Sequence, residues 1–289
     1  MSLMTTAELA DYLRLKERTV YDLVARQAIP CSRATGKLLF SRQLIDAWVE
    51  AHTDMPKGGA LAPPRIYAGS SEPLLEWALR QAGTGLAVLV GGSRLGLEAL
   101  ARGDAVLAGV HMLDPETGSY NLPAIRTRVP RADIVAVHWA RRRQGLLVAP
   151  GNPHGIAGLT DVVERGLRLA RRREGAGSQV LLDALLARAH VGPEALTTAG
   201  RLAESEDDLA SMIAMDEADC GLGVAAAAGG LDFVPIAWED FDLVLRRRDY
   251  FEPPLQALLG FTRSEAFARR AGFLGGYDLK DLGAVRYNA

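Results

Sequence analysis

The sequence predicts an α/β protein in two parts, a small helical module followed by a larger domain. Three helical patterns lie within residues 1–52, and a run rich in glycine and proline covers residues 53–64. From residue 65 onward, short apolar runs such as residues 87–90 and 105–108 alternate with amphipathic segments of helix length. We therefore assign residues 1–52 to a first domain, 53–64 to a linker and 65–289 to a second domain.

The composition is that of an ordinary globular chain. It has 289 residues, 48% hydrophobic and 24% charged, with a net charge of -2, which is enough for two domains. Cys31 and Cys220 match no metal-ligand spacing, so no metal site is predicted. We also expect no cofactor. No apolar run reaches about 18 residues and no export signal precedes the first helix. We therefore expect no membrane partner and a cytoplasmic location.

Two helices are predicted at the start of the first domain. Thr5 and Glu8 have the spacing of a capping box, in which each side chain binds the other residue's backbone N–H. A turn over residues 14–16 leads to a second helix over residues 17–26. Lys16 occupies the position where serine usually caps such a helix, so the sequence predicts a weak cap there.

A hairpin and a third helix complete this domain. Residues 33–40 are predicted to turn at Gly36, and Ser41 is placed to cap a helix that runs through Trp48. This order resembles the excisionase-like, MerR-related winged helix-turn-helix family. The resemblance is carried by residues 6–10, 18–21, 29–30, 36–37, 40 and 47–48. It implies that the second helix reads DNA and that the hairpin is the wing.

Basic residues concentrate on the second helix and the hairpin. Residues 14–42 hold all seven basic side chains of the first 50 residues, but only Glu17 and Asp22 among the acidic ones. Such a surface neutralises phosphates, while side chains on the helix reach base edges. The candidate DNA-binding residues are Arg14, Lys16, Arg18, Thr19, Tyr21, Arg33 and Lys37. The alternative is a trihelical adaptor that contacts only protein.

The second domain repeats one local pattern three times, an apolar strand followed by Gly/Ser and then a helix. The repeats end at residues 69–71, 91–93 and 175–178, the last after a strand predicted at residues 167–169. Free N–H groups and the helix dipole at such ends favour an anion. A single serine there is usually a plain helix cap, but three together favour an anion site. No dinucleotide fingerprint or Walker loop is present, which disfavours nucleotides.

Residues 65–289 resemble the periplasmic-binding-protein-like domains that are fused to helix-turn-helix regulators and are related to molybdate and tungstate receptors. The segments that carry the resemblance are residues 68–71, 92–97, 108–114, 120–121, 144–146, 151–153, 175–183, 218–223 and 231–235. The resemblance implies a type II fold with two lobes that close by a hinge. The first lobe would comprise residues 65–144 and 238–289, and the second residues 145–237.

The same resemblance implies a set of ligand-binding residues in the cleft. They are Ser70, Ser71, Gly92, Ser93, His111, Tyr120, Arg172, Gly177, Ser178 and Gln179. His111 and Tyr120 are alternatively a structural histidine and a turn residue. Gln179 replaces the arginine of the family pattern, which removes a charge-assisted contact of about 1.5–3 kcal/mol unless Arg172 compensates. The other arginine runs, 141–143 and 246–248, are typical of solvated faces.

These patterns predict a ligand-responsive transcriptional regulator that binds DNA as a homodimer on paired half-sites. Its effector would be a small anionic ligand, a molybdate-like or tungstate-like oxyanion. The alternatives are an excisionase-like architectural DNA-binding protein and a regulator that senses a small organic acid. An enzyme is not expected, since the five histidines form no catalytic constellation. A transport receptor would need an export signal, which the sequence does not show.

Overall fold

The structure, a computed structural model, describes residues 3–34, 36–52 and 65–289. The predicted linker at residues 53–64 lies outside the described residues. The chain divides into two compact units, Met1–Ala62 and Pro63–Ala289, each of which is described by itself.

The first unit packs three helices around one apolar core. Its elements are β1 (Leu3–Met4), α1 (Thr6–Leu13), α2 (Glu17–Ala25), β2 (Phe40–Ser41) and α3 (Arg42–Ala51). The core contains Leu9, Val20, Phe40 and Ile45, all fully buried. The predicted periodicity of the helices is therefore confirmed.

The ends of the first two helices follow the sequence closely. The Thr5 N–H donates to Glu8 Oε2 at 2.7 Å and the Glu8 N–H donates to Thr5 Oγ1 at 3.3 Å, which is the predicted capping box. Lys16 makes no side-chain cap to α2, as expected. Arg14 ends α1 in the left-handed conformation at φ 54°, and this produces the turn between the two helices.

The predicted hairpin is shorter than the sequence pattern suggested. One antiparallel bridge joins Ser32 to Leu39, and Gly36 lies at the turn with φ 75°. Phe40 pairs with Met4 of β1 rather than with the hairpin, because its side chain enters the core. The prediction of a hairpin strand through Phe40 is therefore wrong by one residue.

The second unit alternates helices with the strands of one mixed sheet. Its elements are β3 (Ile66–Gly69), α4 (Pro73–Gln81), β4 (Ala87–Val90), α5 (Ser93–Arg102), β5 (Leu107–Val110), α6 (Leu122–Arg128), β6 (Ile134–Val148), α7 (Leu159–Glu164), β7 (Leu169–Arg172), α8 (Gly177–Arg188), β8 (Thr198–Ala203), α9 (Glu206–Ala214), β9 (Cys220–Val224), β10 (Asp232–Arg246), α10 (Arg247–Tyr250), α11 (Pro253–Phe261), α12 (Glu265–Leu274), β11 (Tyr277–Asp278) and β12 (Val285–Asn288). The strands predicted at residues 105–108 and 167–169 each begin two residues later than expected.

Two long strands organise this sheet. Its order is β4-β3-β5-β10-β6-β9-β7-β8. Strands β3, β4 and β5 are parallel, as are β7, β8 and β9, but β6 and β10 pair antiparallel along 15 residues each. The sheet is therefore parallel within each group of strands and antiparallel at its centre.

The β6–β10 ribbon connects the two parallel groups. β5 pairs with the end of β10 that contains residues 242–245, whereas β9 pairs with the end of β6 that contains residues 144–148. Each group has its own apolar clusters, around Trp139 and Leu97 on one side and around Leu146 and Leu209 on the other. Register shifts interrupt β10 beside Pro235 and Phe241. The ribbon thus joins the two lobes, and its register shifts lie in the stretch between them.

Candidate functional site

Ser70, Ser93 and His111 form a hydrogen-bonded chain where strands of the first lobe end. The His111 N–H donates to Ser93 Oγ at 3.0 Å, and Ser93 Oγ lies 2.8 Å from Ser70 Oγ. Either hydroxyl can donate in the Ser70–Ser93 bond, because Ser93 Oγ can accept a second hydrogen bond beside the His111 N–H. In both cases one hydroxyl proton of the pair remains for another acceptor. All three residues are buried.

Close backbone packing holds this chain in place. Gly69 has φ 136°, and a Cβ there would lie 2.3 Å from the Gly109 carbonyl oxygen, so only glycine fits between β3 and β5. The Gly91 and Gly92 N–H groups donate to the Gly69 carbonyl oxygen at 2.9 and 3.0 Å. The amide of Gly92, a predicted ligand residue, is therefore already bonded. The first amides of α5, beginning at Ser93, have no partner within the helix.

The second lobe contributes the start of α8. Gly177 packs against His111 of the first lobe, since a Cβ on Gly177 would lie 2.2 Å from His111 Cε1. The next residue, Ser178, is only 2% exposed, and its Oγ has no partner among the described residues. Three sequence-predicted residues, Ser93, His111 and Gly177, are thus connected by direct contacts, with Ser178 adjacent.

A buried ion pair on the ribbon lies beneath these residues. Glu239 on β10 accepts from Arg142 Nη2 and from Gln144 Nε2, the latter at 2.9 Å, both at its Oε1. Its Oε2 lies 3.0 Å from His111 Nδ1. Arg142 is 2% exposed and Glu239 1%. The interpretation of residues 141–143 as a solvated face is therefore wrong for Arg142.

The charges of this pair stabilise one another. Burial alone would raise the pKa of the Glu239 carboxyl, but Arg142 and His111 lower it to about 2. Burial would likewise lower the pKa of the Arg142 guanidinium, but Glu239 and Glu72 raise it above its usual value. Both groups are therefore ionised at neutral pH, and an ionised carboxylate can only accept, so His111 Nδ1 donates to Glu239. The pair adds no net charge to the cleft.

Tyr120 lies beside the same ion pair. It is half-buried, and burial together with the nearby Glu239 carboxylate raises its pKa above the usual value. The phenol is therefore neutral and able to donate a hydrogen bond. Leu113 and Tyr120 form a bridge at the base of a turn, so both interpretations of Tyr120, as a ligand residue and as a turn residue, fit its position.

Three further predicted residues use their polar groups on neighbours. The Ser71 hydroxyl donates to Glu76 at 2.8 Å. The Gln179 carbonyl accepts from the Arg172 N–H at 3.0 Å and its amide donates to Asp183 at 2.8 Å. The Arg172 guanidinium binds Glu206 at 3.0 Å and the carbonyls of residues 203 and 204. The Gln179 and Arg172 contacts hold the loop before α8, and none of the contacts named here extends to the serine chain.

Arg142, Gln144 and Glu239 are the cleft residues that the sequence patterns did not predict. Glu239 and Arg142 are separated by 97 positions in the chain, and only the β6–β10 register joins them. A usable indication was nevertheless present. Arg142 and Gln144 lie two residues apart, on one face of a strand at the centre of the sheet, where apolar side chains are expected.

The first unit presents the predicted DNA-binding residues at its surface. Six of them are exposed and Thr19 is partly buried; the exposed ones are Arg14, Lys16, Arg18, Tyr21, Arg33 and Lys37. Val20 and Val24 occupy the opposite, buried face of α2. The helix therefore separates an apolar inner face from a polar outer face that has the residue types needed to contact phosphates and bases.

Other kinds of site are not found in the part of the chain that the structure describes. Among those residues, no group of three or more His, Cys, Asp or Glu side chains is placed to hold a metal ion. Cys31 and Cys220 are both free thiols. No helix within the described ranges is both long enough and apolar enough to span a bilayer.

Comparison with known families confirms the fold class. The family model of the PBP superfamily domain matches residues 76–263, and that of a helix-turn-helix domain matches residues 3–53. The uncharacterized protein YvgK of Bacillus subtilis is 25% identical over 299 residues, covering 97% of this chain and 96% of that protein.

Solved structures share the fold at low identity. A tungstate ABC transporter structure from Geobacter sulfurreducens matches with a TM-score of 0.53 and 12% identity, covering 72% of this chain and 97% of that one. A mutant of Corynebacterium glutamicum OxyR with hydrogen peroxide bound matches with a TM-score of 0.52 and 16% identity, covering 93% of this chain and 91% of that one. At these identities the likeness shows the fold alone.

Proposed function

The chain belongs to the PBP superfamily, and from that premise we propose that it is a DNA-binding regulator whose second domain binds a small oxyanion. The observation that carries the proposal is the group of buried polar residues where the two lobes meet. Ser70, Ser93 and Ser178 supply hydroxyls there, and Arg142 supplies a guanidinium. The helix-turn-helix domain on the same chain would convert ligand binding into a change in DNA affinity.

An oxyanion fits this site because the available groups are mainly hydrogen-bond donors. One hydroxyl proton of the Ser70–Ser93 pair, the first amides of α5 and α8 and the Arg142 Nε and Nη1 groups all require acceptors. Since Glu239 neutralises Arg142, binding would depend on fixed dipoles rather than on net charge. Molybdate and tungstate, which present four oxygen acceptors, are the first effectors to test, and a small organic acid is the alternative.

The oxyanion site predicts a thermal shift. A ligand at about 100 times its dissociation constant adds about 2.7 kcal/mol to the free energy of unfolding, which raises Tm by several degrees. We expect at least one of molybdate, tungstate, sulfate, phosphate or a small carboxylate to do so. Ser178→Ala should abolish most of that shift, whereas Ser211→Ala, on α9, should retain it. A panel without any shift would favour the architectural alternative.

The proposed DNA interface predicts weaker affinity and weaker salt dependence in two variants. Arg18→Ala and Lys37→Ala should each reduce binding to duplex DNA, because each removes an exposed cation from α2 or the hairpin. The slope of log K against log salt should become shallower by about 1 for each phosphate that the variant no longer neutralises. Fluorescence anisotropy at several salt concentrations measures both effects. Arg102→Ala, an exposed arginine of the second unit, is the matched control, and equal affinity for all variants would contradict the interface.

We further propose that the protein acts as a homodimer in the cytoplasm. One recognition helix contacts a small number of base pairs, so a regulator with a single helix-turn-helix domain gains specificity by pairing two half-sites. A two-fold symmetric dimer provides this arrangement. Light scattering of the full chain, which gives the molar mass directly, tests the oligomeric state.

A further inference from the structure

Four unpartnered polar atoms belong to three residues of the cleft. Arg142 Nε and Nη1, Gln144 Oε1 and Ser178 Oγ are buried and have no hydrogen-bond partner among the described residues. Leaving such a group unsatisfied costs about 1–3 kcal/mol, so each of these four atoms calls for a partner. Arg142 and Gln144 both bind Glu239, which contacts His111, and Ser178 follows Gly177, which packs against His111. A ligand in the cleft could therefore partner all four atoms.

Gln144 differs from the others because its unpartnered atom is an acceptor. Its Nε2 donates to Glu239 Oε1 at 2.9 Å, and Gln144 is fully buried. Turning the amide over would place its oxygen against an ionised carboxylate, which repels it, so the orientation is fixed by Glu239. The Oε1 atom therefore faces away from Glu239 and requires a donor. Phosphate, sulfate, molybdate and tungstate differ in whether they carry a hydrogen-bond donor.

We propose that the ligand of this cleft is an oxyanion that also carries an O–H group. Its anionic oxygens would accept from Arg142 and Ser178, and its O–H would donate to Gln144 Oε1. This inference rests on the proposed oxyanion site and narrows its ligand class. Hydrogen phosphate and small hydroxycarboxylates satisfy it at neutral pH, whereas sulfate, molybdate and tungstate are fully deprotonated and leave Gln144 Oε1 unpaired.

Phosphate and sulfate form a matched pair for the test, because both are tetrahedral but only phosphate carries an O–H group at neutral pH. In calorimetry on the full chain, phosphate should bind at least about tenfold more tightly than sulfate, which corresponds to about 1.4 kcal/mol. Glycolate against acetate tests the same difference in a carboxylate, and shows whether the O–H belongs to an inorganic or an organic ligand. A preference within either pair supports the inference.

Gln144→Leu tests the residue itself. It keeps the approximate volume of the side chain but removes the acceptor. Phosphate and glycolate should then bind more weakly, so that the ratio of their affinities to those of sulfate and acetate falls to about one. Gln256→Leu, an exposed glutamine on α11, should leave the preference unchanged. The comparison of ligands on the unmodified chain tests the O–H requirement even if Gln144→Leu does not fold.

Two outcomes would overturn the inference, and only the second would also reject the proposed oxyanion site. If sulfate binds as tightly as phosphate and acetate as tightly as glycolate, the O–H requirement is wrong while the oxyanion site stands. If none of the four ligands and neither molybdate nor tungstate binds, the proposed oxyanion site fails and this inference fails with it.

Discussion

Replacing Arg142 with methionine is expected to destabilise the second domain by about 3–5 kcal/mol, because Glu239 would keep its charge in the interior without a cation. Both side chains are buried, and Arg142 also lies over the Phe241 ring, with Cζ 4.5 Å from its centroid. Denaturant unfolding monitored by circular dichroism measures the loss of stability. Arg141→Met is the control, since Arg141 is 46% exposed and its ion pair with Asp240 is expected to contribute less than about 1 kcal/mol.

The pH dependence of that destabilisation follows from Glu239. In the intact protein the pKa of Glu239 is about 2, below its value of about 4.3 in the unfolded chain. The contribution of Glu239 to the free energy of unfolding is therefore present above pH 4.3 and is lost as the pH falls toward 2. Without Arg142, burial should raise the pKa of Glu239, and the variant should regain stability relative to the parent as the pH is lowered from 7. Adding Glu239→Gln should recover part of the stability at pH 7. A destabilisation below about 1 kcal/mol at pH 7 would contradict a buried, ionised pair.

Replacing Gly177 with alanine is expected to weaken ligand binding at least tenfold, because the added methyl group would prevent the lobes from meeting. The new Cβ would lie 2.2 Å from His111 Cε1 and 2.8 Å from the His111 carbonyl oxygen, so rotating the imidazole alone does not relieve the clash. A hinge that opens at the β6–β10 ribbon relieves it. The thermal shift produced by any stabilising oxyanion should therefore disappear.

The stability of the ligand-free chain provides the contrast for Gly177→Ala. If the lobes separate, unfolding without ligand should change little, since each lobe retains its own core. Gly158→Ala is the control on the same lobe, because a Cβ at Gly158 meets nothing within 4 Å. Ligand affinity equal to that of the parent chain would show that the contact between Gly177 and His111 is not part of the bound state.

Much of the fold could be predicted because local physical chemistry specifies it. The capping box at Thr5 and Glu8 and the strand–Gly/Ser–helix units need only short segments of sequence. Ser70, Ser93 and Gly177 were predicted in this way, and His111 from the family resemblance. The structure brings Ser70, Ser93 and His111 into one hydrogen-bonded chain, with Gly177 packed against it.

The rest depended on pairings that no local pattern encodes. Arg142 lies within a run of three arginines, and only the β6–β10 register directs it toward Glu239. Arg172 and Gln179 flank the predicted anion loop in sequence, yet the Gln179 side chain binds the Arg172 backbone and Arg172 binds Glu206. Which polar group faces a ligand and which faces a neighbour is decided by side-chain packing, and sequence spacing alone does not specify it.

The central claim is that an oxyanion in the cleft changes the affinity of the chain for DNA. The direct measurement is fluorescence anisotropy on a duplex selected from a random pool, with and without saturating phosphate, glycolate, molybdate or tungstate. At least one of them should change the dissociation constant about fivefold or more, which is the lower range of allosteric coupling, and Ser178→Ala should remove the effect. If an oxyanion binds the cleft and the DNA affinity stays the same for every ligand, the two domains are not coupled and the chain is not a ligand-responsive regulator.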